Sequence, residues 1–102
     1  MVKMDVKKST QKDKKLMAIF TDDKGKVIKT THFGAVRDGK PMDDYTITGD
    51  KEARKRYRER HAKDLKTNDP KRAGFLSRFI LWGDSTSRED NIKAYKKRFG
   101  FS

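Results

Sequence analysis

Apolar positions first gather at Leu16-Met17-Ala18-Ile19-Phe20, and the Asp22-Asp23-Lys24-Gly25 that follows has the residues of a tight turn. Lys26 to His32 then carries Val27, Ile28, Thr30 and Thr31, which suit a pleated, half-buried surface. The two segments predict an antiparallel β-hairpin with Gly25 in the left-handed position, where a missing Cβ removes the steric penalty. Residues 33–44, FGAVRDGKPMDD, hold two glycines, a proline and three aspartates and read as a loop. Tyr45 to Thr48 reads as a short third strand.

Downstream the apolar period lengthens to that of a helix. Asp50 stands where an N-cap belongs and Glu52 falls in the first turn, where a carboxylate meets the positive helix end. The predicted helix runs to about Leu65, with Ala53, Tyr57, His61 and Leu65 on one face. Asn68-Asp69-Pro70 reads as a second helix start, a capping side chain before a proline in the first turn. Phe75, Leu76, Phe79, Ile80 and Trp82 then form a stripe, read as core, that Gly83 ends. Thr86 with Glu89 has capping-box spacing, and Ile92, Tyr95 and Phe99 recur on one face before Gly100. The expected fold is α+β: an N-terminal antiparallel β-hairpin of two or three strands packed with three short α-helices. Residues 1–14 have no sustained period and read as a basic N-terminal arm or an edge strand needing a partner. Residues 15–102 read as a single domain, since a chain of 102 residues supports one modest core.

Charge changes this picture most. A net charge of +12 on so small a body is self-repulsive, and an anionic partner offsets that repulsion. The excess is uneven: residues 50–66 hold eight basic against four acidic side chains, and residues 70–82 add Lys71, Arg72 and Arg78 with no acid. A helix this rich in arginine and lysine, with one thin apolar seam, suits a phosphate backbone. The residues expected to make those contacts are Arg54, Lys55, Arg58, Lys63, Lys71 and Arg72.

Chemistry of other kinds is sparse. The chain has no cysteine, hence neither a disulfide nor a thiolate metal site. His32 and His61 are the only histidines and lack metal-ligand spacing, so a structural role is expected for both. Asp43, Asp44 and Asp50 form a carboxylate group of the sort that holds Mg²⁺ in nucleases, but adjacent aspartates in a turn usually accept from nearby backbone. No phosphate-loop, dinucleotide or nucleophile-elbow motif occurs, so no enzyme activity, cofactor or metal is expected. The longest uninterrupted apolar run, Leu16–Phe20, is far short of the roughly 20 residues of a membrane span. The N-terminus has no apolar stretch of a secretory leader, so an intracellular or virion setting is expected.

The series His32-Phe33-Gly34, Asp44-Tyr45-Thr46, Arg54-Lys55-Arg56-Tyr57, Arg60-His61 and Ala73-Gly74-Phe75-Leu76-Ser77-Arg78 with Ile80-Leu81-Trp82 resembles a family of uncharacterised short basic proteins of large DNA viruses of algae and protists. The resemblance spans about Lys15 to Phe99. It implies a viral origin, no defined reaction, and a genome- or virion-associated role. Within that pattern His32, Tyr57, His61 and Arg78 lie beside core positions, which implies a structural polar network joining hairpin to helices. The function expected is non-enzymatic binding of nucleic acid, DNA before RNA, through phosphates. The alternative is a minor capsid or cementing protein whose partners are acidic virion proteins.

Overall fold

The computed structural model describes residues 1–102. The expected hairpin is formed by β2 (Lys14–Thr21) and β3 (Val27–Arg37), antiparallel with Leu16 opposite Phe33 and Met17 opposite His32. The Asp22 carboxylate accepts from the backbone N–H groups of Lys24 and Lys26, both at 2.9 Å, and Gly25 sits at φ +83°. Of the two readings of residues 1–14, the chain takes the edge strand. β1 (Lys3–Lys8) lies antiparallel along β2, pairing Met4 with Phe20 and Val6 with Ala18, and Met4 is fully buried.

The stretch 33–44 is not the expected loop. β3 continues through it to Arg37, and Asp38-Gly39, at φ +53° and +75°, turns the chain into β4 (Lys40–Pro41). An Asp-Gly pair with both residues at positive φ matches the twist of the strands it joins, so the pair marks a hairpin. The sheet therefore has four strands in chain order, β1-β2-β3-β4, rather than two or three.

Tyr45–Thr48 is not a strand either but a single helical turn, α1 (Tyr45–Thr48). The Asp44 side chain caps it by accepting from the Thr46 N–H at 2.8 Å, and Gly49 closes it at φ +66°. α2 (Lys51–Arg60) starts on Asp50 as expected, with N–H groups of Glu52 and Ala53 donating at 3.0 and 3.1 Å. It ends at Arg60, short of Leu65; the chain tightens into a 3-10 segment (Ala62–Thr67) that brings Leu65 against the core.

Asn68-Asp69-Pro70 does not open the next helix. Asn68 adopts φ +52° and ends the 3-10 segment, the Asp69 carboxylate accepts from the Lys71 N–H at 2.9 Å, and α3 (Ala73–Leu76) begins after Arg72. Its continuation (Ser77–Leu81) is π-helical, with the Trp82 N–H bonded to the Ser77 carbonyl at 3.0 Å. α4 (Arg88–Phe99) is capped by Ser87, one residue beyond the Thr86 that the sequence spacing favoured; Ser87 Oγ accepts from the Asp90 N–H at 3.2 Å.

The architecture is α+β, and the core lies where Met4, Phe20 and Phe33 of the sheet meet Leu76, Ile80 and Tyr95 of the helices. Burial of such side chains stabilises by about 1.5–3 kcal/mol each. Trp82, expected in the core, is only half-buried at its margin. Phe101 takes a core place instead, its ring 5.2 Å from that of Phe20. The next residue then straps the outer edge of β1: the Met4 N–H donates to the Ser102 carbonyl at 3.0 Å and the Ser102 N–H to Val2 at 2.9 Å.

Candidate nucleic-acid interface

The basic residues of α2 divide by the helix period into an inward and an outward set. Arg54 places its guanidinium over the Tyr45 ring, 4.3 Å from the centroid, and donates to the Gly83 carbonyl at 3.1 Å. Arg58 donates through Nε and Nη2 to the Trp82 carbonyl, at 3.3 and 3.1 Å, and pairs with Asp84 at 3.2 Å. These carbonyls end the helix begun by α3, where cations are favoured, so both arginines hold the end of that helix. Lys55 and Lys63 are exposed and outside every ion pair, as are Arg56 and Arg60. Lys71 is half-buried and its carbonyl accepts from Thr31 Oγ1 at 2.6 Å; Arg72 is exposed, 3.7 Å from Asp69. Of the six, Arg54, Lys55 and Arg58 line one shallow groove along α2, and Lys63, Lys71 and Arg72 lie outside it.

The expected polar network also separates. His32 is bonded through Nδ1 to Ser9 Oγ at 2.7 Å, on the sheet. Tyr57 and His61 stack on each other with centroids 4.3 Å apart, and Trp82 covers the other face of Tyr57 at 4.5 Å and 6°. Arg78 lies over the Phe79 ring at 4.8 Å, and burial, helped by the charge of Arg58, lowers its pKa. Burial pushes the Tyr57 hydroxyl up to about 12.

Asp44 carries a role that its place in a turn did not disclose. Its carboxylate is buried and accepts from Lys15 Nζ at 2.6 Å, Arg88 Nη2 at 3.2 Å and the hydroxyl of Thr46. Burial alone raises its pKa, but hydrogen bonds from Lys15 and Thr46 and the charges of Lys15 and Arg88 outweigh it and hold the group below 3.8. With Asp50 committed to capping α2, the three aspartates do not converge. No group of three or more metal-ligating side chains occurs elsewhere.

The Asp44 junction forms part of the structure beneath an open cleft of about 960 Å³ between the β1–β2 turn, the β3–β4 hairpin, α1 and the start of α4. Lys8, Lys12, Lys14, Lys15 and Arg88 line it, with hydroxyls from Ser9, Thr10, Thr46 and Thr86, and no carboxylate. Lys8, Lys12 and Lys14 belong to no ion pair. Their charge was visible in the sequence, but not that the turn would face Arg88. A second groove, about 550 Å³, lies between β2–β3 and α2; Lys14 and Lys15 line it as well, so the two concavities adjoin. Tyr57, His61 and Trp82 are among its walls.

Residues 4–61, from β1 to just past α2, match the model of the family of unknown function DUF5754. The chain belongs to this family. No curated protein and no solved structure matches the chain. The DUF5754 match takes in all of the sheet but Lys3 and, of the cleft, everything except Thr86 and Arg88. The aromatic segment 73–82 lies outside it.

Proposed function

We propose that this DUF5754 member binds nucleic acid through its phosphates, without reading base sequence. The observation that carries this reading is the cleft whose walls include no acidic residue and hold Lys8, Lys12 and Lys14 outside every ion pair, beside Lys15 and Arg88, which Asp44 anchors from beneath. Phosphate oxygens supply the negative charge and the acceptors such a lining lacks, and neutralising them releases condensed counterions. Lysine ammonium groups act as mobile point charges rather than planar forks, which favours tolerance of sequence over base recognition. Lys55 and Arg56 on the outward side of α2, and Lys63 on the 3-10 segment after it, offer further contacts. The resemblance to proteins of large DNA viruses favours a genome-associated setting and DNA as the polymer, with an acidic virion protein as the rival partner.

Changing Lys8, Lys12 and Lys14 together to glutamine tests the reading, because none of them is in an ion pair and the fold should survive. Affinity for unrelated duplexes is expected to fall alike, and the slope of log affinity against log salt to shallow by up to about three, one per lost phosphate contact. Unchanged affinity and slope in a folded variant would remove the cleft from the interface. Absence of any binding at low salt would leave the acidic-protein reading.

A further inference from the structure

We infer that the groove between β2–β3 and α2 receives an unpaired base, stacked as a fourth ring on the Trp82–Tyr57–His61 ladder. This role rests on the nucleic-acid binding proposed above and narrows its substrate to strands with exposed bases. The ladder is ordered: Trp82 packs against the core, Tyr57 has a ring on both faces, and His61 has a ring partner only in Tyr57. The His61 side chain is 45% exposed, so the stack ends at solvent rather than in the protein. A stack serving only to hold α2 against α3 is already complete with Tyr57 and Trp82.

The electrostatics of the two adjoining concavities differ in the way a nucleotide does. The cleft presents three lysines, Lys8, Lys12 and Lys14, outside every ion pair and no acidic residue in its walls, which suits a phosphate. In the groove, Lys14, Lys15, Arg37 and Arg60 are nearly balanced by Asp43, Asp44 and Asp64. Within that set Lys15 and Asp44 neutralise each other at 2.6 Å, and Asp64 lies 3.3 Å from His61. A nearly neutral groove with ring walls suits a base, which is uncharged and has a π face whatever its identity. Lys14 stands in the walls of both, so a strand with phosphates in the cleft has a neighbouring base beside the ladder.

The test compares oligo(dT) with a duplex of equal length by fluorescence anisotropy at matched salt, using the full chain and its His61→Ala and His61→Phe variants. Phosphate contacts alone favour the duplex, which has the higher charge density, so a single-strand preference requires a base contact. The wild type is expected to hold oligo(dT) on the order of tenfold more tightly than the duplex. His61→Ala should lose that preference while its duplex affinity stays put, and His61→Phe, which keeps a ring, should retain it. Equal affinity of the wild type for both polymers overturns the inference and leaves phosphate binding standing. So does a preference that both variants keep or that both lose. Binding of neither polymer at low salt removes the phosphate reading and the base site together.

Discussion

Asp44→Ala is expected to destabilise the fold by about 3–5 kcal/mol, much of the margin available to a domain of this size. The carboxylate is 1% exposed and the Lys15 side chain that meets it 6%, so truncation leaves a buried ammonium with no counter-charge. It also removes the N-cap of α1 and the link from that turn to Arg88 at the start of α4. Asp44→Asn keeps the shape and an acceptor for Thr46, and should fall between wild type and alanine. The acid dependence has a definite sign. The folded carboxyl titrates below its unfolded value of 3.8, so its contribution is fully present above about pH 4–5 and is lost as pH falls through the folded value. Denaturant melts at pH 7 and pH 3 should therefore show the gap between wild type and Asp44→Asn narrowing in acid; a constant gap would mean that the charge contributes nothing.

Asn91→Ala is the second large effect expected, about 3 kcal/mol, read by the same melts at neutral pH. Its amide donates to the carbonyls of Ile80 and Ser85 at 2.9 and 2.7 Å, and its Oδ1 accepts from the Ser85 N–H at 3.0 Å. Removing it strands three backbone groups around a buried site. Gly83 makes that arrangement possible, because a Cβ there would stand 2.2 Å from the Phe79 carbonyl oxygen and 2.9 Å from Asn91 Cγ. Since the residues lining the cleft do not include Asn91, phosphate binding by the folded fraction should persist. A loss below about 1 kcal/mol would show that the loop finds other partners.

Patterns confined to one element were legible. The apolar run Leu16–Phe20 marked β2, Asp50 capped α2, and Gly100 ended α4 at φ +74°. Asp38-Gly39 was readable as a hairpin turn, but Pro41 and the neighbouring aspartates weighed toward a loop. Tyr45–Thr48 was too short for its propensity to outweigh Asp44 and Gly49, which cap it at both ends. The candidate site depended on contacts far apart in the chain. Nothing local distinguishes Arg58, which binds the Trp82 carbonyl, from Lys55, which faces solvent, until α3 is placed. Likewise Lys15 and Arg88 announce nothing of Asp44 until β2, α1 and α4 come together.

The strap made by Phe101 and Ser102 has a consequence for folding kinetics. Each strand of the sheet pairs with its neighbour in sequence, so those contacts close short loops and form at little entropic expense. The bonds of Ser102 to Val2 and Met4 join residues about a hundred positions apart, and on the ground of closure entropy they are expected to form after the transition state. Phe101→Ala should then raise the unfolding rate in a chevron experiment while leaving the folding rate nearly unmoved; a slowed folding arm would instead put the strap in the nucleus. On this account the strap governs how long the native state lasts, and the meander of the sheet governs how quickly it forms.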